Sequence, residues 1–176
     1  MNESYEPRIV LVGNGPSVLD YEAGAMIDGF DEIYRFNNYD TSDEFAKHVG
    51  TRTTGWICND YVPFDVNGGD AQIVRCALPT NEHRYGHEVP VILRKMAGMT
   101  WPSTALCVAQ HFVKSEIRVW IHGMDAYERT QRNYWSTDSV PKNDLHDQEK
   151  EAQCWETWVT DGTIYLLETQ AAMLKS

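Results

Sequence analysis

Short runs of apolar residues alternate along the chain with segments in which apolar residues recur every three to four positions. The runs are typical of short buried strands. The first of them is apolar without alternation, which predicts burial on both faces of a sheet. The predicted strands span residues 8–13, 32–36, 53–58, 71–79, 117–123 and 163–168.

Three segments carry helix signals. Proline suits the first turn of a helix, where its missing N–H has no partner anyway, so Pro16 predicts a helix start. The stretch 81–101 is ambiguous, and Val91–Met96 within it is compatible with a helix. The predicted helices span residues 16–25, 101–116 and 144–162.

Strands that alternate with helices over short connections predict an α/β fold, with a mostly parallel sheet covered by helices on both faces. No linker rich in glycine, serine or proline divides the 176 residues, so a single domain, 1–176, is expected. In such sheets the ligand binds beyond the carboxyl ends of the strands. Candidate site residues are therefore sought where the predicted strands end.

The charge balance excludes one class of partner. With 26 acidic against 15 basic side chains the formal net charge is −11, and a nucleic-acid backbone would be repelled over most of the surface. The apolar runs are too short to span a bilayer, and the polar start lacks the hydrophobic stretch of a signal peptide. We expect a cytoplasmic protein that binds no nucleic acid and has no membrane span.

The spacing of cysteine, histidine and aspartate gives little support for a metal site. Four widely spaced cysteines are expected to be small buried hydrophobes: Cys58, Cys76, Cys107 and Cys154. His83 and His87 have the i, i+4 spacing of a helical metal pair, but Gly86 and polar neighbours favour a solvated loop. The chain contains no D-x-D sequence, the usual arrangement for holding a divalent ion on a nucleotide diphosphate. We therefore expect no metal and no cofactor.

Three predicted strands end in asparagine: Asn14, Asn37 and Asn59. An amide side chain both donates and accepts hydrogen bonds without carrying charge, so three of them at one rim suit the edges of a base, a ribose or a sugar. For any one of them the alternative is a turn residue, because asparagine tolerates left-handed backbone. Their shared position favours a nucleotide or sugar site.

The loop after the first strand has the composition of a phosphate-binding turn. Gly13 and Gly15 let the backbone approach a ligand closely. A helix starting at Pro16 would offer N–H groups to a phosphate, with the Ser17 hydroxyl beside them. The loop lacks the third glycine of a dinucleotide fingerprint and the lysine of a P-loop, so neither NAD nor a lysine-clamped triphosphate is implied.

A second helix start and two further side chains complete the candidate site. Ser103 and Thr104 offer hydroxyls at the start of the second predicted helix, with ordinary N-capping as the alternative. His146 lies where the positive end of a helix disfavours imidazolium, which makes it a candidate general base; a surface histidine that caps the helix is the alternative. Tyr134 can donate to a phosphate, or it can anchor its loop to the core.

Five segments, taken in order, resemble the motifs of sialyltransferases and cover most of the chain. "VGNGPS" and "YRFNNY" resemble the large motif of the animal-type family and the glycine–asparagine–glycine loop of the bacterial family. The segment from "WPSTAL" to "IHGMD" is similar to the small motif, "NYW" to the short aromatic motif, and "HDQEKE" to the very small motif, His-x4-Glu. The resemblance implies a Rossmann-like fold and an inverting, metal-independent transfer of sialic acid or a related sugar. The donor would be a CMP-sugar, and the acceptor a hydroxyl of a glycan or another molecule.

The resemblance also implies roles for single residues. His146 would be the base, with Glu151 shaping its helix, and Tyr134 would steady the leaving phosphate. The donor would be contacted by Asn14, Asn37, Asn59, Ser103 and Thr104. The loops after the predicted strands add Gly13, Gly15, Ser17 and Gly123 as candidate substrate-binding residues. Two positions depart from the family pattern, since Asn133 replaces a histidine and Ala105 replaces a glycine. Two alternatives stay open: "GNGPS" also resembles the loop of archaeal-type pterin pyrophosphokinases, and the chain could be a non-catalytic nucleotide-binding domain.

Overall fold

The computed structural model describes residues 6–60, 70–79, 81, 89–125, 133–136 and 146–167. Within these ranges the chain forms seven strands and four α-helices. The strands are β1 (Ile9–Val12), β2 (Glu32–Phe36), β3 (Gly55–Asn59), β4 (Gln72–Ala77), β5 (Val91–Leu93), β6 (Val119–His122) and β7 (Ile164–Leu166). The helices are α1 (Gly24–Asp28), α2 (Asp43–Val49), α3 (Thr104–Lys114) and α4 (Gln148–Thr160).

The strands form one sheet in the order β5-β4-β3-β2-β1-β6-β7, and every neighbouring pair is parallel. The chain builds outward from β1 to β5 on one side and then crosses back to place β6 and β7 on the other. The order therefore reverses between β1 and β6, which is the topological switch point where open parallel sheets bind ligands. The predicted fold class, α/β and Rossmann-like, is confirmed.

Two hydrophobic clusters cover the two faces of the sheet. Ile9 and Leu11 of β1 belong to a cluster that also holds the apolar side of α3 and Trp155 of α4. Val10 and Val12 point to the other face and pack with residues of α1 and α2. All four side chains of β1 are buried, so the prediction of a strand covered on both faces is confirmed.

One of the three helix predictions is wrong, and the ambiguous stretch 81–101 contains a strand. Instead of one helix over 16–25, the chain forms a 3-10 helix over Pro16–Asp20, and the extended backbone of Tyr21 separates it from α1. Val91–Met96 is not helical, because Val91–Leu93 forms the edge strand β5, paired with β4. β-Branched residues at its start favour this pairing.

Helix α2 was not predicted from the sequence. Its signals are nonetheless local: Ser42 precedes it, Asp43 and Glu44 lie in its first turn, and Gly50 ends it with a φ of +72°. The other two predicted helices correspond to α3 and α4, whose observed starts lie a few residues later than expected.

The cysteines behave as expected. All four are free, three are buried, and the fourth, Cys154, is half-buried. His83 and His87 lie outside the described residues. In the part of the chain that the structure describes, no helix is long and apolar enough to cross a membrane, and no three His, Cys, Asp or Glu side chains are grouped as a metal site requires.

Candidate active site

An open cavity of about 880 Å³, mouth included, lies at the carboxyl edge of the sheet, where the loops after β1 and β6 meet. Nine of the eleven predicted site residues line it: Gly13, Asn14, Gly15, Asn37, Asn59, Ser103, Thr104, Gly123 and His146. The other two, Ser17 and Tyr134, do not. These nine are half of the eighteen described residues that line the cavity.

Glycines allow the two central loops to lie against each other. The Gly13 N–H donates to the His122 carbonyl at 2.8 Å, and the Gly15 N–H donates to the Gly123 carbonyl at 3.0 Å. A Cβ on Gly13 would lie 2.3 Å from the Gly123 carbonyl oxygen, closer than atoms can approach. Gly123 itself has a φ of +68°. These glycines therefore fix the floor of the cavity through contacts within the protein.

The three asparagines lie on one rim, as predicted, and two of them also hold the loops in place. The Asn14 amide donates to the carbonyls of Phe36 and Asn38 at 2.9 and 3.0 Å. Asn37 has a φ of +51°, and its side-chain oxygen accepts from the Asn59 N–H at 3.0 Å. Asn37 is thus both a turn residue and a residue of the cavity wall.

The start of the 3-10 helix does not serve the cavity as expected. The Ser17 N–H donates to the Asp125 carboxylate at 3.0 Å, and the Ser17 hydroxyl bonds to the same carboxylate. The N–H and the hydroxyl of Ser17 therefore both bind a carboxylate of the chain itself. Asp125 lines the cavity and was not predicted as a site residue. Its position just after β6, at the end of a predicted strand, is the signal in the sequence that points to it.

The start of α3 is also occupied by an internal carboxylate. The Ser103 N–H donates to Glu151 Oε1 at 2.7 Å, and the Ser103 hydroxyl caps the helix by accepting from the Leu106 N–H at 3.3 Å. The capping alternative for Ser103 is thus confirmed. Thr104 is buried and lies on the cavity wall.

His146 is held in one orientation. Its Nδ1 lies 2.7 Å from the Trp101 carbonyl oxygen and 3.4 Å from Glu151 Oε1, and its Nε2 lies 3.4 Å from the Arg94 guanidinium. A carbonyl only accepts and a guanidinium only donates, so these partners assign the proton to Nδ1 and the lone pair to Nε2. The side chain is 7% exposed.

The helix cap at α4 is a different residue. The carboxylate of Asp147 accepts from the Lys150 N–H at 3.2 Å, so it is Asp147 that caps α4. The alternative that His146 is a surface cap is therefore wrong. Arg94, which sequence reasoning missed, lies in the stretch 81–101 that gave no clear pattern.

Tyr134 is part of the core. Its hydroxyl accepts from the Asp40 N–H at 2.9 Å and donates to the Asp40 carbonyl, and its ring meets Phe45 edge to face at 5.2 Å. Burial raises the pKa of Tyr134 to about 12. The structure thus places Tyr134 as a loop anchor, which was the alternative to a phosphate donor.

Comparison with known proteins agrees with the motifs. Residues 3–64 match the model of glycosyltransferase family 29 (sialyltransferase). Sialyltransferase-like protein 3 of Oryza sativa, from subspecies indica and japonica, is 30% identical over an alignment of 112 residues that covers 61% of this chain and 24% of those proteins. The matched region is thus about a quarter of the length of these curated relatives.

Solved structures extend the likeness of fold. A mammalian sialyltransferase superposes on 92% of this chain and 68% of its own with a TM-score of 0.66 and 17% identity. The same comparison with a mammalian sialyltransferase in complex with Gal-beta-1-3GalNAc-ortho-nitrophenol gives a TM-score of 0.65 and 18% identity, over 92% and 69% of the chains. The chain is therefore similar to sialyltransferases in sequence over residues 3–64, and it shares its fold with solved sialyltransferases over 92% of its length.

Proposed function

We propose that the chain acts as a glycosyltransferase that moves sialic acid from a CMP-activated donor to an acceptor hydroxyl, with inversion and without a metal. The observation that carries the proposal is the orientation of His146. Its Nδ1–H is held by a backbone carbonyl, and its Nε2 reaches the Arg94 side chain at the wall of the cavity. The similarity in sequence and in fold to sialyltransferases supports the choice of reaction.

In the proposed reaction the protein positions the donor and the acceptor and accepts one proton. Nε2 of His146 would accept the proton of the acceptor hydroxyl as it attacks the anomeric carbon. The resulting imidazolium would carry its Nδ1–H between the Trp101 carbonyl and the Glu151 carboxylate, an arrangement that stabilises the cation as the carboxylate does in a catalytic triad. CMP leaves as a phosphate monoester anion, so it needs no further activation.

Two other functions make different demands on the same cavity. A pterin pyrophosphokinase-like enzyme would need carboxylates to hold a metal. The two carboxylates on the described wall, Asp125 and Glu151, already accept N–H bonds from the helix starts. A non-catalytic nucleotide-binding domain would need no base, and the low exposure of His146 is the observation that favours it.

Calorimetric titration separates these functions. We expect CMP to bind with the same affinity in EDTA and in magnesium, and CDP, UDP and ATP to bind more weakly, because the site is proposed to recognise a cytidine monophosphate without a metal. Binding of ATP alone, and only with magnesium, would contradict the proposal.

A further inference from the structure

The sequence predicted that the starts of the 3-10 helix and of α3 would bind an anionic ligand. In the structure each of them binds a carboxylate of the chain itself. Asp125 accepts from Ser17, and Glu151 accepts from Ser103. These carboxylates bring negative charge to the cavity wall of a chain whose net charge is already −11. An anionic donor would be repelled unless a cation on the wall offset this charge.

Arg94 supplies that cation. It follows β5 directly, and its backbone N–H donates to the Ala77 carbonyl at 2.6 Å, which fixes the residue to the end of the sheet. Its Nε donates to the Pro102 carbonyl at 2.8 Å, and its guanidinium carbon lies 5.9 Å from the centre of the Trp101 ring. The side chain is thus held at the cavity wall by contacts on two sides.

The guanidinium retains donors for a ligand. Of its five N–H groups, one bonds to the Pro102 carbonyl and one faces His146 Nε2 at 3.4 Å. The others suit a planar pair of oxygens, because a guanidinium binds a carboxylate through two parallel hydrogen bonds.

The position of Arg94 beside the base favours one anion of the donor over the other. In an inverting substitution the hydroxyl and its base lie on the face of the reacting carbon opposite the leaving phosphate. A sialic acid carries its carboxylate on that same carbon, to the side of the line of attack. A cation 3.4 Å from the base nitrogen would therefore lie closer to the carboxylate of a bound donor than to its phosphate.

We propose that Arg94 is a specificity-determining residue that binds the carboxylate of the donor sugar, so that the cavity selects acidic keto-sugars over neutral ones. This inference rests on the proposed function. It adds that the sugar of the CMP donor is recognised by its charge.

The test compares three ligands by calorimetry: CMP, CMP-3-fluorosialic acid, and the methyl ester of that compound, whose carboxyl is neutral. A hydrogen bond to a charged group contributes about 1.5–3 kcal/mol, so Arg94→Gln should weaken binding of the acid by roughly 10- to 100-fold. It should weaken CMP and the ester much less than the acid, because both lack the carboxylate, and wild type alone should prefer the acid to the ester. Lys95→Gln removes a neighbouring exposed charge and should change nothing.

Each other outcome overturns a definite part of the account. If Arg94→Gln keeps the preference for the acid, Arg94 does not bind the carboxylate. If it weakens CMP as much as the acid, Arg94 binds the phosphate instead. CMP binding by the variant also shows that the variant is folded. If wild type binds none of the three ligands, the proposed function itself fails, and the inference fails with it.

Discussion

Several residues of the candidate site both line the cavity and hold neighbouring loops together, and the sequence pointed mainly to the first role. Asn14 and Asn37 were singled out as ligand contacts, and both line the cavity, but both also hold neighbouring strand ends by hydrogen bonds. Glu151 joins the Ser103 N–H to His146 Nδ1. Ser103 is 48 positions from Glu151 and His146 is 5 positions from it. No local pattern in the sequence predicts a contact between residues as distant as Ser103 and Glu151.

Tyr134 gives a prediction at this scale. Tyr134→Phe removes both hydrogen bonds to the Asp40 backbone, so we expect the free energy of unfolding to fall by about 1–2 kcal/mol in urea titrations. Tyr165→Phe, on an exposed ring, is the control and should have no effect. If Tyr134→Phe left stability unchanged and instead slowed sugar transfer, the phosphate role would be restored.

The same residue makes stability depend on pH. Burial favours the neutral phenol and raises the pKa of Tyr134 from 10.0 to about 12 in the folded state. The contribution is therefore fully present below pH 10 and is lost as the pH rises from about 10 to 12. The difference in stability between wild type and Tyr134→Phe should narrow over that range.

At the scale of elements, the carboxyl ends of β1 and β6 decide the shape of the site. The sequence predicted both strands, because each is a continuous apolar run. It did not predict that their loops touch so closely that a side chain has no room at Gly13. The edge strand β5 and the 3-10 helix were missed for another reason: both are short, and tertiary contacts rather than local propensity determine such elements.

Gly13→Ala tests the packing of these loops. The added Cβ would lie 2.3 Å from a backbone oxygen that cannot move aside without shifting the loop after β6. We expect a loss of about 1–3 kcal/mol in the free energy of unfolding and weaker CMP binding. Gly29→Ala is the matched control, because Gly29 has an ordinary helical φ of −83° and its nearest contact is 3.3 Å. Equal effects of the two substitutions would contradict the account.

For the whole molecule, the alternation of strands and helices was enough to predict the fold class and the edge of the sheet that holds the cavity. It was not enough to predict how distant segments meet there. Arg94 and His146 are 52 residues apart, and they meet because both bind the backbone just before α3, Arg94 at the Pro102 carbonyl and His146 at the Trp101 carbonyl. The cytoplasmic location expected from the sequence stays a prediction.

The central claim is that this cavity transfers a sugar from CMP with His146 as the base. The most direct measurement uses NMR to monitor the release of CMP from CMP-sialic acid in EDTA, with an acceptor glycan present. We expect wild type to release CMP and to form a product of inverted configuration. His146→Ala should reduce the rate by about 100-fold or more while CMP affinity stays within a few-fold, and exposed His111→Ala should match wild type. An unchanged rate in His146→Ala would contradict the account.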